Sequence, residues 1–152
     1  MILSLHDIRA QYVPELSLLR FQWNRLAPAL ARFETSLLAI AQLVEQHTVS
    51  AILLDLHGLP TLGLDEQFWL AANWLPRVSV PAVEQVAVVL PAGSLYNQMV
   101  VESLLRACRH FVHYEVQFFG ETAEALDWLL HHQPVAQQTV EQAWQLALAA
   151  RS

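Results

Sequence analysis

The run Ala51-Ile52-Leu53-Leu54-Asp55-Leu56 carries more information about the fold than any other part of the chain. Its apolar side chains do not alternate with polar ones, which is typical of a strand covered on both faces of a sheet. Residues 86–90, with the sequence VAVVL, are apolar throughout and have the same character. Helical sequence separates the two runs, so we expect two interior strands of a sheet wrapped by helices on both faces.

Strands with one polar face are predicted to flank this pair. Residues 17–23 and residues 114–119 alternate apolar with polar side chains, as strands near a sheet edge do. Residues 10–13 are predicted to form a further short strand, which the turn Pro14-Glu15 folds back onto residues 17–23. The apolar strands therefore lie inside the predicted sheet and the amphipathic strands lie near its edges.

Apolar residues at helical spacing predict the helices between these strands. The first helix covers residues 27–46, with Pro28 tolerated in its first turn. The second is predicted to begin at an Asp65 N-cap and to end before Pro76, and the third to begin at a Ser94 N-cap. Two more amphipathic helices follow the last strand.

This order of elements predicts the α/β fold class. Right-handed crossovers give a three-layer sandwich with a four- to five-stranded, mostly parallel mixed sheet and helices on both faces. We expect a single domain over residues 1–152, with an additional C-terminal helix at about residues 135–150.

The charge composition argues against nucleic-acid binding. The 152 residues include 14 acidic and 8 basic side chains, a net charge of −6, and the basic residues are scattered arginines. The absence of lysine removes Schiff-base chemistry and the phosphate-loop lysine. A lone cysteine, Cys108, excludes an internal disulfide and a thiolate zinc cage, and its place in an apolar helical stripe predicts an inert core residue.

Mean hydropathy is high, so the sequence was considered as a membrane protein. The longest uncharged run, residues 85–101, contains Pro91 and Gly93 and predicts strand, turn and helix instead of a membrane span. The first seven residues lack the basic region of a signal peptide. We therefore expect a cytoplasmic protein with no membrane span.

Asp55 and His57 are the first candidate site residues. They lie two positions apart at the carboxyl end of an interior strand, near the crevice where open α/β sheets bind ligands. The carboxylate could orient the imidazole as a general base, which gives a hydrolase hypothesis. The structural alternative is that Asp55 accepts hydrogen bonds from backbone amides of the following loop.

Two further histidine patterns could supply metal ligands. His110, His113 and Glu115 have suitable spacing, but they fall where a helix meets a strand, and a histidine at a helix C-terminus also complements the helix dipole. The same explanation applies to His131 and His132. We predict neither a metal site nor a cofactor.

Thr61 and Trp144 are candidate residues for regulating or contacting a protein partner. A phosphate on Thr61, in the loop before the second helix, would switch a partner surface electrostatically; the alternative is an ordinary turn threonine. Trp144, on the glutamine-rich last helix, is either an anchor for a second subunit or partner, or a core residue packed against its own domain.

Three segments together resemble the STAS superfamily, whose members include bacterial anti-sigma factor antagonists. They are residues 53–59 (LLDLHGL), residues 86–89 (VAVV) and residues 117–129 (QFFGETAEALDWL). The resemblance extends over about residues 14–131 and is greatest to small stand-alone bacterial members. It implies a non-enzymatic regulatory or ligand-binding module with a four- or five-stranded mixed sheet.

The resemblance also implies a phosphorylation site. In the antagonists, a serine or threonine at the start of the helix after this strand is phosphorylated, usually within Asp-Ser-Ser-Gly. The corresponding residues here are Leu59-Pro60-Thr61-Leu62-Gly63, in which Thr61 is the one hydroxyl.

The leading functional hypothesis is therefore a STAS-like module that binds an unidentified protein partner. Its predicted binding surface consists of Asp55, His57, Gly58, Thr61 and Asp65. The alternatives are a carrier of a small apolar ligand or lipid, and a hydrolase that uses Asp55 and His57. A homodimer through the last helix is a further hypothesis.

Overall fold

One six-stranded sheet, with its strands in chain order, forms the centre of the fold. The computed structural model describes residues 1–24, 30–90 and 95–150. The first two strands are antiparallel to their neighbours, and the last four are parallel to one another. The strands are β1 (Ile2–Leu5), β2 (Ile8–Val13), β3 (Leu18–Trp23), β4 (Ala51–Asp55), β5 (Gln85–Val89) and β6 (Glu115–Phe119).

The helices lie in two layers, one on each face of the sheet. Each parallel crossover advances by one strand in the same direction, so the right-handed rule places α1 to α4 on one face. The helices after β6 return across the other face, where α5 packs on β4 and β5. The helices are α1 (Phe33–Gln46), α2 (Leu64–Trp69), α3 (Leu75–Val78), α4 (Leu95–Ala107), α5 (Thr122–Leu129) and α6 (Pro134–Ala149).

These layers confirm the predicted α/β sandwich and its two interior apolar strands. In β4 and β5, alternate residues such as Leu53 and Ala87 face α5, while Ile52 and Val88 face the layer of α1 to α4. The all-apolar pattern of these strands follows from burial on both faces. Residues that follow β4 are consequently presented at the rim of the sheet.

The sheet has six strands, whereas four to five were predicted. β1 pairs antiparallel with β2 through a turn at His6 and Asp7, where His6 takes a left-handed φ of 58°. The predicted short strand next to β3 is β2, and the 3₁₀ turn Pro14–Leu16 connects the two. β1 has no polar alternation over its four residues, which explains why its pattern did not predict it.

The prediction for β3 was wrong in one respect. β3 is an interior strand, third of six, and its predicted wet face is covered: Arg20 is buried. The covering element is α6, whose Val140 and Trp144 pack against this face. β6, the other amphipathic strand, does lie at the sheet edge as predicted.

Two helix boundaries also differ from the prediction. Gly63, not Asp65, is the N-cap of α2; its N–H donates to Glu66 Oε1 at 2.8 Å, and Asp65 lies in the first helical turn. The helix does not stop before Pro76, because a π-helical segment, Leu70–Trp74, leads into α3 with the proline in its first turn.

Other predicted positions lie partly outside the described residues. α1 begins at Phe33, later than predicted, and Pro28 lies outside the described residues. The predicted Ser94 cap lies outside them too. Within the three described ranges, no helix combines the length and the apolar character that crossing a membrane requires.

Candidate functional site

A polar cavity of about 510 Å³ lies at the carboxyl ends of β3 and β4, on the face covered by α5 and α6. Strand register builds it: Arg9 pairs with Gln22, and Gln22 pairs with Asp55, so three polar side chains stand abreast on neighbouring strands. Trp144 of α6 and Thr122 of α5 complete the walls from above the sheet. We call this the Arg20 cavity, after the arginine described below.

Asp55 and His57 form the pair that their spacing predicted. The Oδ1 atom of buried Asp55 accepts the His57 backbone N–H at 2.9 Å and lies 2.5 Å from His57 Nδ1. The structural interpretation, a loop amide held by the carboxylate, is thus confirmed, and the ring is held by the same oxygen. A proton on Nδ1 leaves Nε2 of the neutral ring as an acceptor, and His57 lines the Arg20 cavity.

Arg20 is the most buried of several polar cavity residues that the sequence pattern did not indicate. Its Nη1 atom donates to Glu141 Oε1 at 2.6 Å, and its guanidinium carbon lies 4.2 Å from the ring centroid of Trp144. Burial lowers the pKa of Arg20, while the carboxylates of Glu141 and Asp55 oppose that shift. The Nε atom is buried and has no hydrogen-bond partner among the described residues.

Trp144 lies inside the protein, which corrects its interpretation as a partner anchor. Its side chain is 2% exposed, with Arg20 on its ring and the Arg9 guanidinium carbon 5.8 Å from the ring centroid. Gln11 Nε2 donates to the Val140 carbonyl at 3.1 Å and holds the same helix on the sheet. Trp144 therefore packs against its own domain and has no surface to offer a second subunit.

The five residues nominated as one binding surface fall into two groups. Asp55 and His57 line the Arg20 cavity, whereas Thr61 and Asp65 are exposed in and beside the loop that leads into α2, on the other helical layer. Gly58 joins the groups with a left-handed φ of 81°, and a Cβ there would lie 3.3 Å from the Trp23 carbonyl oxygen. The loop thus crosses from one layer to the other.

A second, apolar surface lies beside Thr61 and Asp65. The i, i+4 pairs Leu64/Phe68 on α2 and Leu95/Met99 on α4 are all more than half exposed, as is Tyr96. We call these five residues the α2–α4 surface. They include half of the ten large apolar side chains that are exposed among the described residues.

Hydrogen bonds fix α4 to the loop before α2. Tyr96 Oη donates to the Leu62 carbonyl at 2.8 Å, and Asn97 Nδ2 donates to the Pro60 carbonyl at 3.4 Å. The apolar side of α4 is only partly buried, because Val100 is covered while Val101 is half-buried. The two helices therefore share contacts at one end while their outer apolar side chains lie in solvent.

The core below these helices contains a small apolar cavity of about 100 Å³. It lies between the sheet and the α1 to α4 layer, and residues such as Phe21, Leu37, Trp74 and Val88 line it. Its apolar lining makes it the cavity to consider for the hypothesis of an apolar ligand.

The remaining candidates are accounted for by local packing. No group of three or more potential metal ligands occurs among the described residues. The rings of His110 and His113 pack against their neighbours Phe111 and Tyr114. Cys108 is buried, and burial raises the pKa of its thiol.

Comparisons of the chain with protein-family models, with curated proteins and with solved structures find no match.

Proposed function

We propose that this protein is a non-enzymatic, STAS-like module that binds a protein partner through the α2–α4 surface. The observation that carries the proposal is the concentration of exposed Leu64, Phe68, Leu95, Tyr96 and Met99 on two neighbouring helices. Isolated exposed apolar residues are ordinary, whereas a group of them at one place is typical of an interaction site.

Charge defines the chemistry of the partner. The chain carries a net charge of −6, and Asp65 and Glu66 in the first turn of α2 adjoin the apolar pairs. A complementary partner segment presents apolar side chains to the pairs and has arginine or lysine at its edge. An amphipathic basic helix has this composition and fits a surface formed by two helices.

Thr61 is the proposed site of regulation. Its side chain is exposed in the loop before α2, three residues from Leu64. A phosphate there would add about 1.5 to 2 negative charges and strengthen binding of a basic segment. A Thr61→Glu variant is expected to bind the partner more tightly at low salt, and the gain should shrink as salt screens the charge; equal affinity would remove Thr61 from the proposal.

Partner capture with matched variants tests the surface. Phe68 on α2 and Leu146 on α6 are almost equally exposed, at 71% and 72%, but lie on opposite layers. A protein captured from source-cell lysate by the wild type and by Leu146→Ser, and lost with Phe68→Ser, is the expected result. Equal capture by all three forms would exclude the α2–α4 surface, and self-association lost with Phe68→Ser would identify a second copy as the occupant.

The apolar-ligand hypothesis ranks second because of cavity size. The core cavity of about 100 Å³ is smaller than the roughly 150 Å³ cavity that accommodates benzene in an engineered protein core. A lipid chain would require the α1 to α4 layer to move away from the sheet. Native mass spectrometry of the purified protein tests this hypothesis, and a co-purifying lipid would favour it.

The hydrolase hypothesis ranks third. The Asp55–His57 pair has the orientation of a general base, but no serine or cysteine lines the Arg20 cavity among the described residues. Hydrolysis of a substrate panel that is lost in His57→Ala would place it first.

A further inference from the structure

The Arg20 cavity concentrates buried charge on a face of the sheet that an ordinary core would fill with apolar residues. Arg9, Arg20 and Asp55 are all buried there, and charged side chains are rarely buried unless their charges and donors are used. Asp55 is occupied, since its Oδ1 atom already holds the backbone and ring nitrogens of His57. Arg20 is therefore the group to explain.

Arg20 has donor capacity left over. Glu141 engages its Nη1 atom, so this ion pair does not use the N–H of Nε. The Nε atom is buried and has no hydrogen-bond partner among the described residues. A guanidinium presents its Nε edge to carboxylate and phosphate oxygens in a fixed, planar geometry, so this edge suits an oxyanion.

The walls hold the guanidinium in place. Trp144 covers it at 4.2 Å, and Glu141 fixes one end at 2.6 Å. Arg9 lines the same cavity, with its guanidinium carbon 5.8 Å from the same ring. Because Arg20 does not need to be ordered on binding, the entropic cost of capturing an anion is reduced.

The size and lining of the cavity define the rest of the ligand. About 510 Å³ falls within the range of sites for small organic molecules and exceeds what a bare inorganic ion fills. Trp144 and Leu148 contribute apolar wall beside the charged residues. The ligand therefore has an apolar body as well as an anionic group.

We infer that the Arg20 cavity binds a small organic oxyanion, with its carboxylate or phosphate on the Nε edge of Arg20 and its apolar body against Trp144 and Leu148. This site lies on the layer opposite the α2–α4 surface and does not depend on the proposed protein-binding function.

Titration calorimetry with benzoate, phenyl phosphate and inorganic phosphate tests the site on the full chain. We expect wild-type protein to bind at least one organic probe more tightly than inorganic phosphate; the two organic probes distinguish a carboxylate from a phosphate ester. Binding of neither organic probe would overturn the inference. If phenyl phosphate is the organic probe that binds, an affinity equal to that of inorganic phosphate would overturn the assignment of an apolar body.

Three variants locate the site. Arg20→Lys keeps a charge for Glu141 but removes Nε, and is expected to weaken binding about tenfold. Glu141→Gln removes the competing carboxylate and is expected to strengthen binding by about threefold to tenfold. Arg77→Lys is the matched control, because Arg77 forms a similar pair with Glu45 on the surface.

These variants remain decisive if one of them is unstable. Unchanged affinity in folded Arg20→Lys would overturn the inference. If Arg20→Lys does not fold, Glu141→Gln decides: stronger binding supports the site, and unchanged or weaker binding overturns it. A purely structural role for Arg20 gives no reason for tighter binding when its partner carboxylate is neutralised.

Discussion

Arg20 of β3 lies under the indole ring of Trp144, with its guanidinium carbon 4.2 Å from the ring centroid, and this contact joins the last helix to the middle of the sheet. The adjacent ion pair with Glu141 links residues 121 positions apart in the chain. The contact covers the polar face of β3 and also forms one wall of the Arg20 cavity. The same residues therefore hold α6 on the sheet and form part of the proposed anion site.

Removal of the Trp144 ring is expected to destabilise the protein strongly. The side chain is 2% exposed, and truncation of a buried tryptophan to alanine typically costs about 3–5 kcal/mol. Urea unfolding of Trp144→Ala should show a loss of this size in the free energy of unfolding. Leu146→Ala, two residues away and 72% exposed, should change it by no more than about 0.5 kcal/mol. Similar values for the two variants would contradict the buried position of Trp144.

Gly58 is expected to be sensitive to the smallest substitution. Its φ is 81°, and a Cβ would meet the Trp23 backbone and side chain at 3.3 Å. We expect Gly58→Ala to lower the free energy of unfolding by about 1–2 kcal/mol, the typical cost of a left-handed conformation for a residue with a Cβ.

Gly120 provides the matched control for that substitution. A Cβ at Gly120 would meet nothing within 4 Å. Gly120→Ala should therefore unfold within about 0.5 kcal/mol of the wild type. A cost at Gly120 equal to that at Gly58 would show that the loop geometry after β4 is not the cause.

Asp127 links α5 to α6 and gives a pH-dependent contribution to stability. The hydrogen bond from Gln137 at 2.8 Å, followed by the contact with His132, lowers the Asp127 pKa below its ordinary value of 3.8. A carboxyl with a lowered pKa in the folded state stabilises the protein above its unfolded pKa, and that contribution is lost as pH falls through the folded pKa.

The Asp127→Asn variant measures that contribution. Its urea midpoint is expected to lie below that of the wild type at pH 7, and the difference should narrow when both proteins are compared below pH 3.8, where Asp127 begins to be protonated. A difference that is the same at both pH values would mean that the charge of Asp127 does not contribute.

Cys108 is expected to be chemically inert in the native protein. It is a free, buried cysteine, and burial raises the pKa of its thiol, so little thiolate is present at pH 8. Alkylation by iodoacetamide should be at least about tenfold slower for the native protein than for the protein unfolded in urea. Equal rates would indicate an accessible thiol and contradict its burial at the C-terminal end of α4.

Local pattern was sufficient for the interior of the fold and for one pair in the site. The apolar runs of β4 and β5 predict burial on both faces because successive side chains of a strand point to opposite faces, and here both sets are apolar. Asp55 and His57 pair across two positions, so their geometry follows from the end of a single strand. Such features need no knowledge of the rest of the chain.

Features that depend on distant residues were not predictable in this way. The polar alternation of β3 indicates solvent, but Glu141 and Trp144 supply a partner and a cover for Arg20 from the far end of the chain. The layer change at Gly58, which separates His57 from Thr61, depends on tertiary contact with Trp23. The residues predicted to form one surface therefore lie on two.

Site-specific photo-crosslinking in the source cells tests the partner surface most directly. A benzophenone amino acid replaces Phe68, Met99 or, as the control on the opposite layer, Leu146, all of which are more than half exposed. We expect the same discrete protein adduct from positions 68 and 99 and its absence from position 146. An adduct that forms equally well from position 146, or no adduct from positions 68 and 99, would contradict it.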